Sequence, residues 1–141
     1  MSNATPMLAP VLALVIWTAV IWAWMYATRI PAILKARMVL DPTAPPGEQM
    51  ASLPPNVRWK ADNYNHLLEQ PTLFYAVAIS LAVLGDASTR SLVLAWGYVA
   101  LRIVHSLVQV TWNRIQVRFA IFVVASLVLF ALTYQAAVQV F

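Results

Sequence analysis

Residues 13–26 read ALVIWTAVIWAWMY. They lie within an uncharged run from Leu8 to Ala27, and the first charged residue of the chain is Arg29. A helix of about 20 apolar residues crosses the roughly 30 Å hydrocarbon core of a bilayer. The run is too long for the apolar region of a signal peptide. It also lacks the basic start and small-residue cleavage site of one. Pro10 suits the first turn of such a helix. Trp17, Trp22, Trp24 and Tyr26 give its second half the aromatic character of a membrane–water interface.

The rest of the chain agrees. Of 141 residues, 62% are hydrophobic and only 10% are charged. A soluble globule carries about 45–50% apolar and about 25% charged residues. A domain this small has too much surface to bury such an excess. A soluble enzyme, a disordered tail and a DNA-binding module are therefore excluded. The net charge of +4 rests on 9 basic residues dispersed through apolar sequence, so no nucleic-acid partner is expected. The absence of cysteine removes disulfides and thiolate metal ligands, and no metal site is expected.

Three further spans follow. From Met38 to Asn56 the chain carries six prolines and glycines between residues 42 and 55 and reads as an extended connection. Leu73 to Gly85 is apolar but too short alone, so the second span must begin near Trp59, with Pro71 kinking it or freeing carbonyls. Residues 91–111 and 117–140 form the third and fourth, joined by tight turns. The expected fold is an all-α, integral-membrane four-helix bundle. It is one membrane domain over 1–141, with spans near 8–28, 59–85, 91–111 and 117–140. With the termini outside, Arg29, Lys35, Arg37, Arg58, Lys60, Arg114 and Arg118 face the cytoplasm and only Arg90 faces out. This is the positive-inside pattern. For Lys35, Arg37 and Lys60, orientation is a sufficient role. The bacterial inner membrane is the expected location.

An ionisable group within a span costs several kcal/mol unless paired or hydrated, and so marks an interior or functional position. Asp62, His66 and Glu69 fall at i, i+4 and i+7 on the second span, beside Asn65. Arg102, His105 and Gln109 fall at i, i+3 and i+7 on the third, beside Ser106. Each set forms one helical face. Arg118 opens the fourth span and Arg114 precedes it by a turn. These groups meet at the cytoplasmic end of the bundle, where Glu69 is expected to pair with Arg102. Several arginines among few acids suit an anionic ligand such as a carboxylate, phosphate or thiolate. The aromatic walls suit a lipophilic small molecule.

Two segments carry a family resemblance: RIVHSLVQVTWNRIQVRF (102–119) and YNHLLEQPTLF (64–74). With the four-span layout they resemble the MAPEG family, membrane-associated proteins in eicosanoid and glutathione metabolism. Arg102, His105 and Arg118 match an Arg-x-x-His on the third helix and an arginine opening the fourth. Glu69 matches the glutamate of the second. The resemblance implies a homotrimer in the lipid bilayer, with glutathione held between subunits on the cytosolic side. It also implies thiol-dependent transfer to, or peroxidase action on, a lipophilic electrophile. Arg118 would be the catalytic residue, stabilising the thiolate. Asp62, His66, Glu69, Arg102, His105, Gln109 and Arg114 would surround the glutathione. The sequence departs from the family pattern at Asp62 (for arginine), His66 (for asparagine), Gln109 and Phe122 (for tyrosines) and Phe119 (for the serine of one branch). A non-catalytic member that binds a lipid or small anion is the alternative expectation.

Overall fold

The computed structural model describes residues 6–141; the first five residues of the expected 1–141 domain lie outside the described residues. Five α-helices follow in order: α1 (Leu8–Lys35), α2 (Pro55–Leu68), α3 (Pro71–Val83), α4 (Thr89–Thr111) and α5 (Ile115–Val140). The pair α2–α3 makes one span, Pro55–Val83, beside the spans of α1, α4 and α5. The chain is thus a multi-pass integral membrane protein with four apolar helical segments, each long enough to cross a bilayer. Large side chains such as Ile16, Val93, Leu127 and Phe130 point outward, where lipid is the solvent.

In lipid, helices associate by close packing and polar contacts rather than by a hydrophobic drive. The buried face shows this. Ala78, Ala95 and Ala125 are fully buried and let the backbones approach, while Phe74 stacks on Tyr98 at 4.6 Å between ring centroids. On α1 the inward residues Leu14, Ile21 and Met25 recur at helical spacing. The tightest pairing is α4 with α5, followed by α1 with α2.

The helix ends explain most of the punctuation. α1 runs on past Arg29 and over Pro31 to Lys35, beyond the expected boundary near residue 28. Helix, once nucleated, propagates cheaply. It stops where Arg37 adopts a left-handed φ of 48° and Met38 N–H bonds back to the Ile33 carbonyl. α3 ends in the same way at Gly85, φ 74°, with Asp86 N–H donating to the Leu81 carbonyl. The Met38–Asn56 connection is more tied down than an extended chain. Gln49 accepts from Asp41 N–H and donates to the Val39 carbonyl, ahead of a short 3-10 turn at Gln49–Ser52.

Lys60 departs from its expected role of orientation alone. It is 6% exposed. Its Nζ donates to the Asn56 carbonyl at 2.7 Å and lies 5.1 Å from the Trp24 ring centroid. The alkyl stem covers apolar surface while the ammonium reaches a carbonyl and a π face, which fastens α2 to α1.

At the opposite end of the bundle, Asp86 ties three elements together. It accepts from Ser88 N–H and Ser91 Oγ–H at the start of α4 and from Gln139 Nε2 at the end of α5. Burial opposes its ionisation, but these hydrogen bonds outweigh burial and hold its pKa down to about 2, against an ordinary 3.8. A depressed carboxylate stabilises the fold above its unfolded pKa and loses that contribution as pH falls through the folded value. Asp86→Ala should therefore cost about 2 kcal/mol near neutrality. Thermal unfolding in detergent should show the difference from wild type shrinking between about pH 4 and pH 2. A difference independent of pH would contradict the role given to the ionised carboxylate.

Candidate functional site

The second span breaks between α2 and α3. Glu69 leaves helical geometry with φ −88° and ψ −101°, and Pro71 opens α3 as its first residue. Proline carries no N–H, so the Leu67 carbonyl has lost its usual donor. At the break the last carbonyls of α2 fall outside regular i→i+4 pairing, and the His66 carbonyl accepts only the long bond from Glu69 N–H, at 3.4 Å, within its own span. Arg102, 1% exposed in the middle of α4, uses one of them: its Nη2 donates to the His66 carbonyl at 3.0 Å.

This arrangement replaces the expected Glu69–Arg102 ion pair. Among the described residues no carboxylate lies within ion-pair distance of Arg102. Glu69 instead sits at the break with an exposed side chain. The helical period that placed it on the face of Asp62 and His66 ends one residue too early.

Around the break lies a cavity of about 280 Å³ between α2, α4 and α5. Its polar wall is His66, Glu69, Gln70, Arg102, His105 and Arg118, and Ile115, Phe119 and Phe122 of α5 form the apolar wall. Clefts that take small ligands start at about 300 Å³, so the space suits a small molecule or one end of a larger one. The rings of His66 and His105 stand 6.4 Å apart, edge to face.

Hydrogen bonds fix most of the polar wall. His66 Nδ1 faces Gln109 Oε1 at 3.0 Å. Asn63 donates to Ser106, pinning α2 to α4 one turn deeper. Gln70 donates to Ser126 Oγ at 2.8 Å and accepts from the Tyr98 hydroxyl at 3.2 Å, so it joins the break to α4 and α5. Arg118 donates to Asn113 in the α4–α5 turn, where Asn113 has a left-handed φ of 52°. On this wall three buried nitrogens have no partner among the described residues, Arg102 Nε, His105 Nδ1 and Arg118 Nε; Trp17, Arg29 and Arg58 carry such a nitrogen away from the cavity. Buried donors left unmatched are costly. Here each belongs to a side chain of the cavity wall but is itself closed to solvent, so the wall is formed by the other atoms of these cationic and imidazole groups.

The residues expected from sequence divide into two groups. Arg118, Arg102, His105, His66 and Glu69 meet at the cavity. Gln109, Asp62 and Arg114 do not line it. Gln109 is 1% exposed and stands behind His66. Asp62 is exposed one turn before His66, and its charge acts on Arg118. Arg114 is exposed with its guanidinium 4.4 Å from the Trp112 ring centroid. Sequence reasoning missed Gln70, Asn63 and Ile115. For Gln70 a signal existed, since an amide directly before Pro71 in an apolar span must find partners. Phe119 and Phe122, read only as departures from a pattern, supply the apolar wall.

Comparison with known proteins gives one match. The model of the MAPEG family matches residues 7–138. No curated protein and no solved structure matches the chain.

The geometry separates two neighbouring residues by their expected effect on stability. Gln70→Leu strands the Tyr98 hydroxyl, while Ser126 keeps its bond to the Phe122 carbonyl, and should cost about 1–3 kcal/mol. Glu69→Gln breaks no side-chain hydrogen bond and removes only a charge that acts on Arg102 from beyond ion-pair distance, so it should stay within about 0.5 kcal/mol of wild type. Thermal unfolding of both variants in one detergent checks this, and a large loss in Glu69→Gln would restore the ion pair.

Proposed function

The chain belongs to the MAPEG family, membrane proteins of the eicosanoid and glutathione metabolism kind, and on that premise we propose that it is a thiol-dependent transferase or peroxidase acting on a lipophilic electrophile at the membrane. The observation that carries this reading is the convergence of Arg102, His105 and Arg118 on the polar wall of one cavity.

Reduced glutathione, the thiol we assign to the site, has two carboxylates, one amine and a thiol. The residues present fit it. Arg102 and His105 offer donors for a carboxylate, and the exposed Glu69 carboxylate suits the amine. Bound there, the thiol supplies the nucleophile. Arg118 favours the charged form of the sulfur, because an opposite charge a few ångströms away stabilises the anion. Phe119, 65% exposed, and Phe122 extend the cavity wall onto the outer face of α5, so a lipophilic partner enters from the bilayer. Asp62 in place of the family's arginine leaves Arg102 and Arg118 as the anion-binding pair. The same reading takes residues 1–141 as one membrane domain in a homotrimer, termini outside, with the cavity at the basic, cytoplasmic end.

The second reading, a non-catalytic member that binds a lipid or small anion, draws on a separate apolar groove of about 360 Å³. Val15, Trp22, Tyr64 and Tyr75 line it between α1 and the second span.

Calorimetry with reduced glutathione and detergent-purified protein tests the choice. Binding is expected, weakened about tenfold or more in Arg118→Ala, a difference of about 1.4 kcal/mol. Thiol-dependent turnover of a soluble electrophile should fall about 100-fold in the same variant. Binding without turnover in wild type would favour the second reading, and equal activity in wild type and variant would remove the role of Arg118.

A further inference from the structure

A histidine acts as a base only through a nitrogen that carries no hydrogen, and the hydrogen bond at one ring nitrogen decides the state of the other. On α2, His66 Nδ1 faces the side-chain oxygen of Gln109, which only accepts. In the neutral ring this pairing places the hydrogen on Nδ1 and leaves the lone pair on Nε2. Among the described residues Nε2 has no hydrogen-bond partner, and it is not sealed from solvent as Nδ1 of His105 is. The ring belongs to the cavity wall. Gln109 is 1% exposed on α4 and lies outside that wall, so it holds the ring from behind.

We infer that His66 Nε2 is the proton acceptor for the thiol bound in this cavity, and that Gln109 is the positioning residue that fixes its tautomer. The inference rests on the thiol-dependent reading above and adds to it the fate of the proton. The S–H bond breaks and the N–H bond at Nε2 forms. The electron pair stays on sulfur, so the site turns a neutral pair into an imidazolium and a thiolate. Net charge is unchanged, and no oxidant or further reactant is needed. The surrounding groups favour the separation. Arg118 of α5 stands ready for the sulfur anion, Arg102 of α4 adds positive charge to the same wall, and Glu69 at the break is the nearby acid for the imidazolium. Asp62 lies one turn away on α2, and His105 of α4 meets the ring edge to face. The backbone carbonyl of His66 is bound by Arg102, which fixes the residue at both ends.

The test counts protons. Near pH 7, above the ordinary imidazole pKa of about 6.5, reduced glutathione is added to the detergent-solubilised full-length protein. Thiolate is read by ultraviolet difference absorbance. Proton release is read by calorimetry in buffers of different ionisation enthalpy. In wild type, thiolate is expected to appear with no proton released to buffer. S-methyl glutathione, which has no S–H, should give neither signal. In His66→Gln the thiolate should either fail to form or form only with release of a proton. Turnover should fall about 100-fold, in the range for loss of a general base. Gln109→Leu should reduce the thiolate amplitude while leaving affinity for S-methyl glutathione unchanged, a split that mere loosening of the fold would not give. Two results would overturn the inference alone: thiolate formation with one proton released by wild type, or His66→Gln behaving as wild type in both readouts. Failure of either ligand to bind at millimolar concentration would overturn the thiol-dependent reading together with it.

Discussion

A guanidinium inside a membrane bundle must find acceptors, and in this protein a broken helix supplies one. Arg102 is almost completely buried on α4 and donates to the His66 carbonyl at the end of α2. An unbroken second span would spend that carbonyl on Gln70 N–H. The non-helical backbone at Glu69 prevents the helix from closing over it, and the missing N–H of Pro71 leaves the neighbouring Leu67 carbonyl without its donor. The break therefore has a structural purpose. It gives the buried cation a partner without a buried carboxylate, and it avoids the desolvation cost of a second charge.

The cavity follows from the same break. Where α2 and α3 part, Glu69 and Gln70 are displaced from regular helix positions, and the start of α5 closes the space with Arg118 and Phe119. Gln70 secures the gap by bonding to Tyr98 and Ser126 on the two other helices. Arg118 is held in turn by Asn113 at the α4–α5 turn. Arg102 and Arg118 are thus each anchored through one nitrogen, to the His66 carbonyl and to Asn113, which holds both guanidinium groups at the cavity wall.

Much of this was legible in the sequence, for physical reasons. Apolar runs of sufficient length identify the membrane-crossing helices, because lipid leaves the backbone no other partners. The 3.6-residue period placed Arg102, His105 and Gln109 on one face of α4, and all three are buried there. The same period failed on the second span. It carried Glu69 onto the face of His66 because it assumed a continuous helix, whereas the backbone leaves that period at Glu69. Pairing by charge then joined Glu69 to Arg102 and overlooked a carbonyl, a partner that sequence does not display. Lys60 was read by the rule for loop cations, yet it is buried against Trp24, since a long stem allows one residue to be both basic and internal. Asp62 shares the helical period of His66, and Arg114 precedes Arg118 by a turn, yet both are exposed and neither lines the cavity.

The central claim is that the cavity at the helix break is the ligand site and that its wall of Arg102, His105 and Arg118 meets an anionic thiol there. The most direct measurement is an experimental structure of the full-length protein in a lipid nanodisc with saturating reduced glutathione. The expected result is ligand density in the α2–α4–α5 cavity, an anionic group against Arg102 and His105, and the sulfur on the Arg118 side. An empty cavity at saturation, or ligand bound elsewhere with Arg102 still capping α2, would contradict the account.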